Sequence, residues 1–239
     1  MRSQGRAGAV ALCGLVLVAC GGGGGAASAN NVVTMKADSM PRGSGATDSA
    51  SAPSGRRTVL FLGTSLTAGL GLEPDSAFPQ QVQRKIDAVG LPYQTVNAGV
   101  SGETSAGLLR RLDWVLQRRA EVIVVETGAN DGLRGQPVAG TKATIGQVLT
   151  RIRRDRPDAH IVLVQMEAPT NLGSAYTSEF RAMFPALARE HGATLLPFLL
   201  DGVVGRPALN QADGIHPNYV GERLVTENVW RGLEPVLRR

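Results

Sequence analysis

Cysteine is scarce in this chain of 239 residues, which contains two, Cys13 and Cys20. Two cysteines cannot build the disulfide framework of a small secreted domain. The sequence also lacks any cluster of His, Cys and Asp at the spacing of metal ligands. We therefore expect no metal ion and no other cofactor.

Aromatic residues are also few, at 4% of the chain, while the formal net charge is +5. The basic residues fall in short runs, at 110–111, 118–119 and 151–156. Nucleic-acid sites combine such charges with aromatic side chains that stack on bases. Because these runs lack interleaved aromatic residues, we interpret them as solvated helix faces and expect no nucleic-acid partner.

The apolar run near the amino terminus, Ala7 to Ala19, is too short to span a membrane as a mature helix. It follows Arg2 and Arg6 and ends at Leu17-Val18-Ala19-Cys20. This pattern resembles a bacterial lipobox, in which the cysteine is lipidated and becomes the mature N-terminus. We expect residues 1–19 to be a lipoprotein signal peptide and Cys20 to anchor the protein in the cell envelope. The anchor would lie at the periplasmic face of the outer membrane or at the cell surface. An ordinary signal peptide that happens to contain a cysteine is the alternative.

Residues 20–56 are mostly Gly, Ala, Ser, Asn and Pro, with few large apolar side chains. Such a composition cannot bury enough surface to order the chain, so we predict a flexible tether. A segment folded against the core is the alternative. Residues 57–239 are enough for one domain with a sizeable core. The sequence does not determine the oligomeric state, and we expect a monomer.

Apolar runs alternate with helical patterns from residue 58 onward. Continuous apolar runs are typical of strands buried on both faces of a parallel sheet. The predicted strands are Thr58–Leu62, Tyr93–Asn97, Val122–Glu126, His160–Gln165 and Thr194–Leu196. The predicted helices lie near Ser76–Ala88, near Glu103–Arg119, around Ile145–Ile152, around Phe180–Leu187 and near Pro217–Leu237. This alternation predicts an α/β fold, a three-layer α/β/α sandwich with a five-stranded parallel sheet of the flavodoxin-like type.

Two local details accompany these helices. Ser101 is a plausible N-cap of the second helix, with Glu103 complementing the dipole of its first turn. Pro185 lies inside the fourth helical pattern and predicts either a kink or a late start of that helix.

Polar motifs follow the first three predicted strands. They are Gly63-Thr64-Ser65, Asn97-Ala98-Gly99 and Gly128-Ala129-Asn130-Asp131. Because ligands bind outside the carboxyl ends of the strands in open α/β sheets, the three motifs should converge on one cleft. Taken singly, each has a structural alternative: a helix N-cap for Ser65, a positive φ for Gly99 and a turn for Asn130.

A fourth motif, Asp213-Gly214-Ile215-His216-Pro217, places an aspartate three residues before a histidine. One turn of loop can put that carboxylate against the imidazole Nδ1–H, which leaves Nε2 free to accept a proton from a nucleophile. A histidine that merely starts a helix is the alternative. The two other histidines, His160 and His191, lie at a strand start and a helix end and are predicted to be structural.

The four motifs resemble those of the SGNH (GDSL-type) hydrolases, in order and with sensible spacing over about residues 57–238. The likeness is closest to the bacterial arylesterase, acyl-CoA thioesterase and lysophospholipase branch. The resemblance implies that Ser65 is the nucleophile, His216 the general base and acid, and Asp213 the residue that orients His216. It further implies an oxyanion hole formed by the Ser65 amide, the Gly99 amide and the Asn130 side chain. The motif around Ser65 is not the Gly-x-Ser-x-Gly elbow of the larger α/β-hydrolases.

Two further features bear on this resemblance. Met166, Pro169, Asn171 and Tyr176 look like the loop that lines the acyl pocket in that branch. Family members usually carry Asp where this chain has Thr64, a residue outside the triad that can hydrogen-bond locally but brings no charge. The resemblance therefore implies intact chemistry with altered positioning of the nucleophile.

The sequence thus predicts a membrane-tethered serine esterase that hydrolyses short- to medium-chain acyl esters or thioesters through an acyl-serine intermediate. A carbohydrate O-deacetylase is a second reading within the enzyme class. A non-catalytic lipoprotein that uses the fold as a binding module is the reading from another class, and Thr64 is the feature that favours it.

Overall fold

The computed structural model describes residues 55–239, and its centre is a five-stranded parallel sheet. The strands are β1 (Arg57–Gly63), β2 (Tyr93–Gly99), β3 (Val122–Val125), β4 (His160–Val164) and β5 (Thr194–Leu196). They lie in the order β2-β1-β3-β4-β5. All five predicted strands are confirmed, with boundaries that move by two residues at most. The segments predicted as signal peptide and tether, apart from its last two residues, lie outside the described part of the chain.

Within residues 55–239, seven α-helices connect and cover the strands. They are α1 (Ser65–Ala68), α2 (Phe78–Ala88), α3 (Ser105–Val115), α4 (Ala129–Leu133), α5 (Val138–Asp155), α6 (Ser174–Glu190) and α7 (Tyr219–Leu237). Helix α2 packs against α7, whereas α5 packs between α3 and α6, so the two groups cover opposite faces of the sheet. The predicted three-layer α/β/α sandwich is confirmed.

The core lies on both sides of the sheet because the central strands are apolar along their whole length. Val122 to Val125 are all buried, as are residues 161–164 of β4. Phe61 meets Phe78 of α2 edge to face at 5.5 Å between ring centroids. On the other face, Phe180 and Phe184 of α6 are fully buried. Burial on both faces explains why these strands read as continuous apolar runs.

The predicted cap of the second helix is wrong, and of the two alternatives at Pro185 the late start is excluded. Thr104, not Ser101, is the N-cap of α3, and its hydroxyl accepts from the Gly107 N–H at 3.3 Å. Ser101 is exposed, and Glu103 precedes the helix, where it forms an ion pair with Arg111 at 2.7 Å. Helix α6 starts at Ser174 and continues through Pro185, so the late start is not found.

From β1 the chain passes to β2 on one side, and from β2 it then crosses to β3 on the other side of β1. The strand order therefore has a topological switch point between β1 and β3. A crevice at the carboxyl ends of the strands is expected at such a point. The short helices α1 and α4 begin there, directly after β1 and β3. Both are shorter than two helical turns, which is why no periodicity in the sequence reveals them.

Within residues 55–239 no helix has the length and apolar character needed to cross a membrane. The same residues contain no group of three or more His, Cys, Asp or Glu side chains arranged to hold a metal ion.

Candidate active site

Ser65 is the first residue of α1 and follows β1 through a turn that only glycine can make at position 63. A Cβ on Gly63 would lie 1.9 Å from Thr67 Oγ1 and 2.7 Å from Glu126 Oε2. Thr64 is the N-cap of α1, and its Oγ1 accepts from the Leu66 N–H at 3.4 Å. The Ser65 side chain is therefore held at the carboxyl edge of the sheet, where it is 8% exposed.

His216 lies in the loop before α7, and Asp213 organises that loop. Asp213 Oδ1 accepts the backbone N–H groups of Ile215 at 2.9 Å and of His216 at 3.0 Å. Asp213 Oδ2 lies 2.6 Å from His216 Nδ1. These bonds, led by the one from the His216 backbone, lower the pKa of the Asp213 carboxyl to about 2. Asp213 is consequently a carboxylate at every pH at which an imidazole can act as a base.

The loop is also tied to the opposite side of the cleft by one glutamine. The Gln211 N–H donates to the His216 carbonyl at 2.8 Å. Its side-chain Nε2 donates to the carbonyls of Leu70 at 2.7 Å and Pro217 at 2.9 Å. Because Leu70 follows α1, Gln211 couples the position of the histidine loop to that of the serine helix.

The two motifs meet although they are 151 residues apart in sequence. His216 Nε2 lies 2.8 Å from Ser65 Oγ, and its Nδ1 faces Asp213 on the other side of the ring. With Nδ1–H donated to the carboxylate, Nε2 is the basic nitrogen that faces the hydroxyl. The arrangement can accept the Ser65 proton while the oxygen attacks an electrophilic carbon. The structure brings Ser65, His216 and Asp213 together as the sequence predicted.

Asn130 stands at the start of α4, after Gly128, whose φ of 96° makes the turn out of β3. Its Nδ2 donates one proton to the Glu103 carbonyl at 3.0 Å. A carboxamide carries two donors, so the second proton of Nδ2 is available to another acceptor. The bond to Glu103 also fixes the rotamer of Asn130, which preorganises that second donor.

The Gly99 amide does not have a free proton, which conflicts with its predicted place in an oxyanion hole. Its N–H donates to Asn97 Oδ1 at 2.9 Å, while Asn97 Nδ2 donates to the Thr67 carbonyl at 2.8 Å. A Cβ at position 99 would lie 2.4 Å from the Ala68 nitrogen. Glycine is therefore needed here because helix α1 packs directly on the end of β2.

Gly102, three residues further along, offers a backbone donor that was not among the predicted site residues. Its N–H has no hydrogen-bond acceptor among the described residues, and its φ is 76°. Arg134 Nη2 holds the Gly102 carbonyl at 3.0 Å, next to the Glu103 carbonyl that Asn130 holds. The two carbonyl groups that directly follow the free amide are thus fixed, one by Arg134 and the other by Asn130. The clue in the sequence was the second glycine of Asn97-Ala98-Gly99-Val100-Ser101-Gly102.

A cavity of about 640 Å³ is lined by Leu66 and Ile215, the residues next to Ser65 and His216 in the chain, and by the segment after β4. Three of the four predicted pocket residues, Met166, Pro169 and Asn171, line it. Tyr176 does not; its hydroxyl donates to the Gln136 carbonyl at 2.6 Å. Other apolar residues that line the cavity were not predicted from the sequence; they include Leu66, Leu133, Phe198, Leu200 and Ile215. The volume falls within the range of sites that bury a small molecule.

The Thr64 side chain is hydrogen-bonded to Glu126. Its N–H and Oγ1 donate to Glu126 Oε2 at 2.8 and 2.9 Å, and its side chain is buried. The predicted local hydrogen bond of Thr64 is the one that it accepts from the Leu66 N–H. Its second partner, the Glu126 carboxylate, follows β3 and lies 62 residues later in the chain.

Residues 61–224 match the model of the GDSL-like lipase/acylhydrolase family. The chain is 36% identical over 182 residues to esterase TesA of Pseudomonas aeruginosa, a match that covers 76% of this chain and 90% of that protein. It is 35% identical over 181 residues to thioesterase 1/protease 1/lysophospholipase L1 of Escherichia coli, covering 75% and 85%.

Solved structures give the same result. The crystal structure of the psychrotrophic esterase EstA from Pseudoalteromonas sp., inhibited by monoethylphosphonate, superposes with a TM-score of 0.72 at 32% identity. That match covers 77% of this chain and all of the esterase. The crystal structure of TesA matches with the same TM-score at 35% identity, covering 75% of this chain and 99% of that one. The chain belongs to the GDSL-like lipase/acylhydrolase family, and the protein is a serine ester hydrolase.

Proposed function

We propose that the enzyme forms an acyl intermediate on Ser65. His216 Nε2, 2.8 Å from Ser65 Oγ, accepts the hydroxyl proton as the oxygen attacks the carbonyl carbon of the substrate. The imidazolium that forms is stabilised by the Asp213 carboxylate at 2.6 Å. His216 then gives its proton to the departing oxygen or sulfur, and the carbonyl is restored as an ester of Ser65. The observation that carries this proposal is the hydrogen-bonded series Asp213–His216–Ser65.

Deacylation reverses these roles with water as the nucleophile. His216 accepts a proton from a water molecule, the resulting oxygen attacks the acyl carbon, and the carboxylic acid leaves as Ser65 regains its proton from His216. The same imidazole thus serves as base and acid in both halves of the reaction.

In each half the carbonyl oxygen becomes an oxyanion that needs aligned donors. We propose the backbone N–H of Ser65, the backbone N–H of Gly102 and the second Nδ2 proton of Asn130. Gly102 replaces Gly99 in this set because the Gly99 proton is already donated to Asn97. The segment that follows the Gly102 amide supports the assignment, since Arg134 holds the Gly102 carbonyl and Asn130 holds the Glu103 carbonyl.

For the substrate we propose short- to medium-chain acyl esters or thioesters. The support is the 640 Å³ cavity, whose walls are mainly apolar. An acetyl group would leave most of this cavity empty, which disfavours the O-deacetylase alternative. The names of the relatives, esterase and thioesterase, accord with an acyl group of this kind.

The substrate proposal predicts how the rate depends on chain length in a series of p-nitrophenyl esters. From acetate to hexanoate, kcat/KM should rise by up to about fourfold per methylene, because each buried CH₂ contributes about 0.8 kcal/mol. It should fall again at palmitate, because the proposed substrates carry short- to medium-chain acyl groups. Steady-state hydrolysis of the series measures both limbs. A maximum at acetate would favour the O-deacetylase reading instead.

We also propose that the protein is anchored in the cell envelope by lipid on Cys20. The support is the sequence Leu17-Val18-Ala19-Cys20, since this part of the chain lies outside the described residues. A thiol that becomes lipidated needs no disulfide partner, and the chain offers none once Cys13 is removed with the signal peptide.

The anchor predicts a change of cell fraction in Cys20→Ser. This variant should leave the membrane fraction, whereas the matched control Cys13→Ser should stay in it, because Cys13 lies within the predicted signal peptide. Fractionation followed by immunoblotting measures both. The two variants should hydrolyse p-nitrophenyl butyrate at equal rates per molecule, because every group of the proposed mechanism lies within residues 55–239. Retention of Cys20→Ser in the membrane would refute the anchor.

A further inference from the structure

A buried carboxylate that the mechanism above does not use lies directly beneath the nucleophile. Glu126 follows β3 and is 1% exposed. Its Oε2 accepts the Thr64 N–H at 2.8 Å, the Thr64 hydroxyl at 2.9 Å and the Thr67 hydroxyl at 2.9 Å. Its own backbone N–H donates to the Leu62 carbonyl at 2.8 Å, which fixes the residue against β1.

This carboxylate has no ion pair with any Lys or Arg among residues 55–239. Its donors are neutral amide and hydroxyl groups, so burial raises the pKa of the Glu126 carboxyl above its ordinary value. A carboxylate buried without a cation is costly to the folded state. Buried charged groups of this kind cluster at functional sites, so the residues that Glu126 contacts suggest its role.

What Glu126 holds is the turn that carries Ser65. Thr64 immediately precedes the serine and Thr67 follows it by two residues, so the carboxylate is hydrogen-bonded to the turn on both sides of Ser65. These hydrogen bonds require glycine at position 63, because a Cβ there would lie 2.7 Å from Glu126 Oε2. The Thr64 hydroxyl then accepts from the Leu66 N–H, which passes the constraint into the first turn of α1.

A second glutamate also links β1 and β3 by a side-chain hydrogen bond and serves as a comparison for Glu126. Glu121, at the other end of β3, accepts the Thr58 N–H of β1 at 2.7 Å and is partly exposed. That single bond joins the same two strands away from the catalytic edge. Glu126 accepts two additional hydroxyl bonds, and both come from the residues that flank the nucleophile.

We propose that Glu126 is a positioning residue for the nucleophile, whose carboxylate acts through Thr64 and Thr67 to hold Ser65 Oγ against His216 Nε2. This inference rests on the proposed role of Ser65. It assigns the carboxylate no contact with the substrate, so the substitution should affect the chemical step and leave binding unchanged.

The test is Glu126→Gln, which preserves shape and removes one acceptor oxygen. The three short bonds all end on Oε2, so a glutamine oxygen in that place accepts them without a negative charge and therefore more weakly. The new NH₂ group then takes the place of Oε1, 3.1 Å from Thr64 Oγ1. We expect kcat on p-nitrophenyl butyrate to fall about tenfold with KM changed by less than about twofold. The rate constant for phosphonylation by a fluorophosphonate should fall by the same factor, because it reports the reactivity of Ser65 without a turnover step.

Two companion variants separate positioning from stability. Glu121→Gln makes the same chemical change on the same pair of strands and should leave kcat and the phosphonylation rate unchanged. Thr67→Val removes one flanking bond and keeps the carboxylate. If Glu126 acts through Thr67, the double variant should lose less than the product of the two single losses. Thr67→Val also gives the answer if Glu126→Gln fails to fold.

The outcomes are distinct. A lower Tm with unchanged kcat and phosphonylation rate in Glu126→Gln, or in a folded Thr67→Val, would make the carboxylate a structural staple and overturn the inference. Peptide mapping of the phosphonyl label tests the proposed function separately. A label on a serine other than Ser65 would refute the acyl-Ser65 mechanism, whatever the effect of Glu126→Gln.

Discussion

Replacing Ser65 by alanine should reduce ester hydrolysis by on the order of 10⁶-fold in kcat, to a residual rate that comes from the oxyanion donors and substrate binding. The variant removes the oxygen that His216 Nε2 faces at 2.8 Å, and with it the acyl intermediate. Alanine is smaller than serine and fits the first position of α1, so the fold and the cavity should persist. Hydrolysis of p-nitrophenyl butyrate under saturating conditions measures the loss, and circular dichroism checks the fold.

Covalent labelling makes the same prediction without turnover. A fluorophosphonate should add one label to the peptide that contains Ser65 in the wild-type enzyme and none in Ser65→Ala. The matched control is Ser178→Ala, which changes an exposed serine on α6 and should retain full activity and labelling. Full activity in Ser65→Ala, or a label on another serine, would remove Ser65 from the mechanism.

His216 belongs to the same unit, which sets a further condition on the result. His216→Ala should be nearly as damaging as Ser65→Ala, and the double variant should be no worse than either single one, because neither residue acts without the other. Multiplicative losses would mean that the 2.8 Å contact in the structure does not operate during catalysis.

The strands and the triad were predictable because both depend on short stretches of sequence. The run Val122-Ile123-Val124-Val125 is typical of a strand buried on both faces, and a motif that follows such a strand lies at its carboxyl edge. Asp213 and His216 are three residues apart, so a local loop suffices to join them. The parallel sheet then brings Ser65 to the same edge without further assumptions.

The roles of the glycines were not predictable in this way. Gly99 and Gly102 both follow β2, and the sequence does not say which amide has its proton free. That depends on Asn97, whose side chain turns back to bind the Gly99 N–H and the Thr67 carbonyl. A rotamer decided by the packing of α1 on β2 cannot be read from composition or spacing.

Thr64 illustrates the same limit over a longer distance. The sequence suggested that its side chain hydrogen-bonds locally and affects the positioning of the nucleophile. The structure places Thr64 against Glu126, 62 residues later in the chain. Glu126 ends an apolar strand, as many polar residues do, and its partners become visible only when β1 and β3 lie side by side.

Replacing Asn130 by alanine should lower kcat about 10²–10³-fold with little change in KM, the usual effect of removing one oxyanion donor. The loss falls on kcat because the donor binds the charge that develops in the transition state and contributes little to the ground-state ester. Steady-state kinetics on p-nitrophenyl butyrate separate the two constants.

The competing interpretation is that Asn130 merely secures the turn by its bond to the Glu103 carbonyl. Both roles predict some loss of stability, so Tm alone does not separate them. Phosphonylation does, because the phosphonyl oxygen of the adduct occupies the position of the oxyanion and needs the same donors. Asn130→Ala should therefore still be labelled at Ser65, but more slowly, by a factor that approaches its loss in kcat. A folded Asn130→Ala enzyme with wild-type kcat and labelling rate would leave the oxyanion to the Ser65 and Gly102 amides.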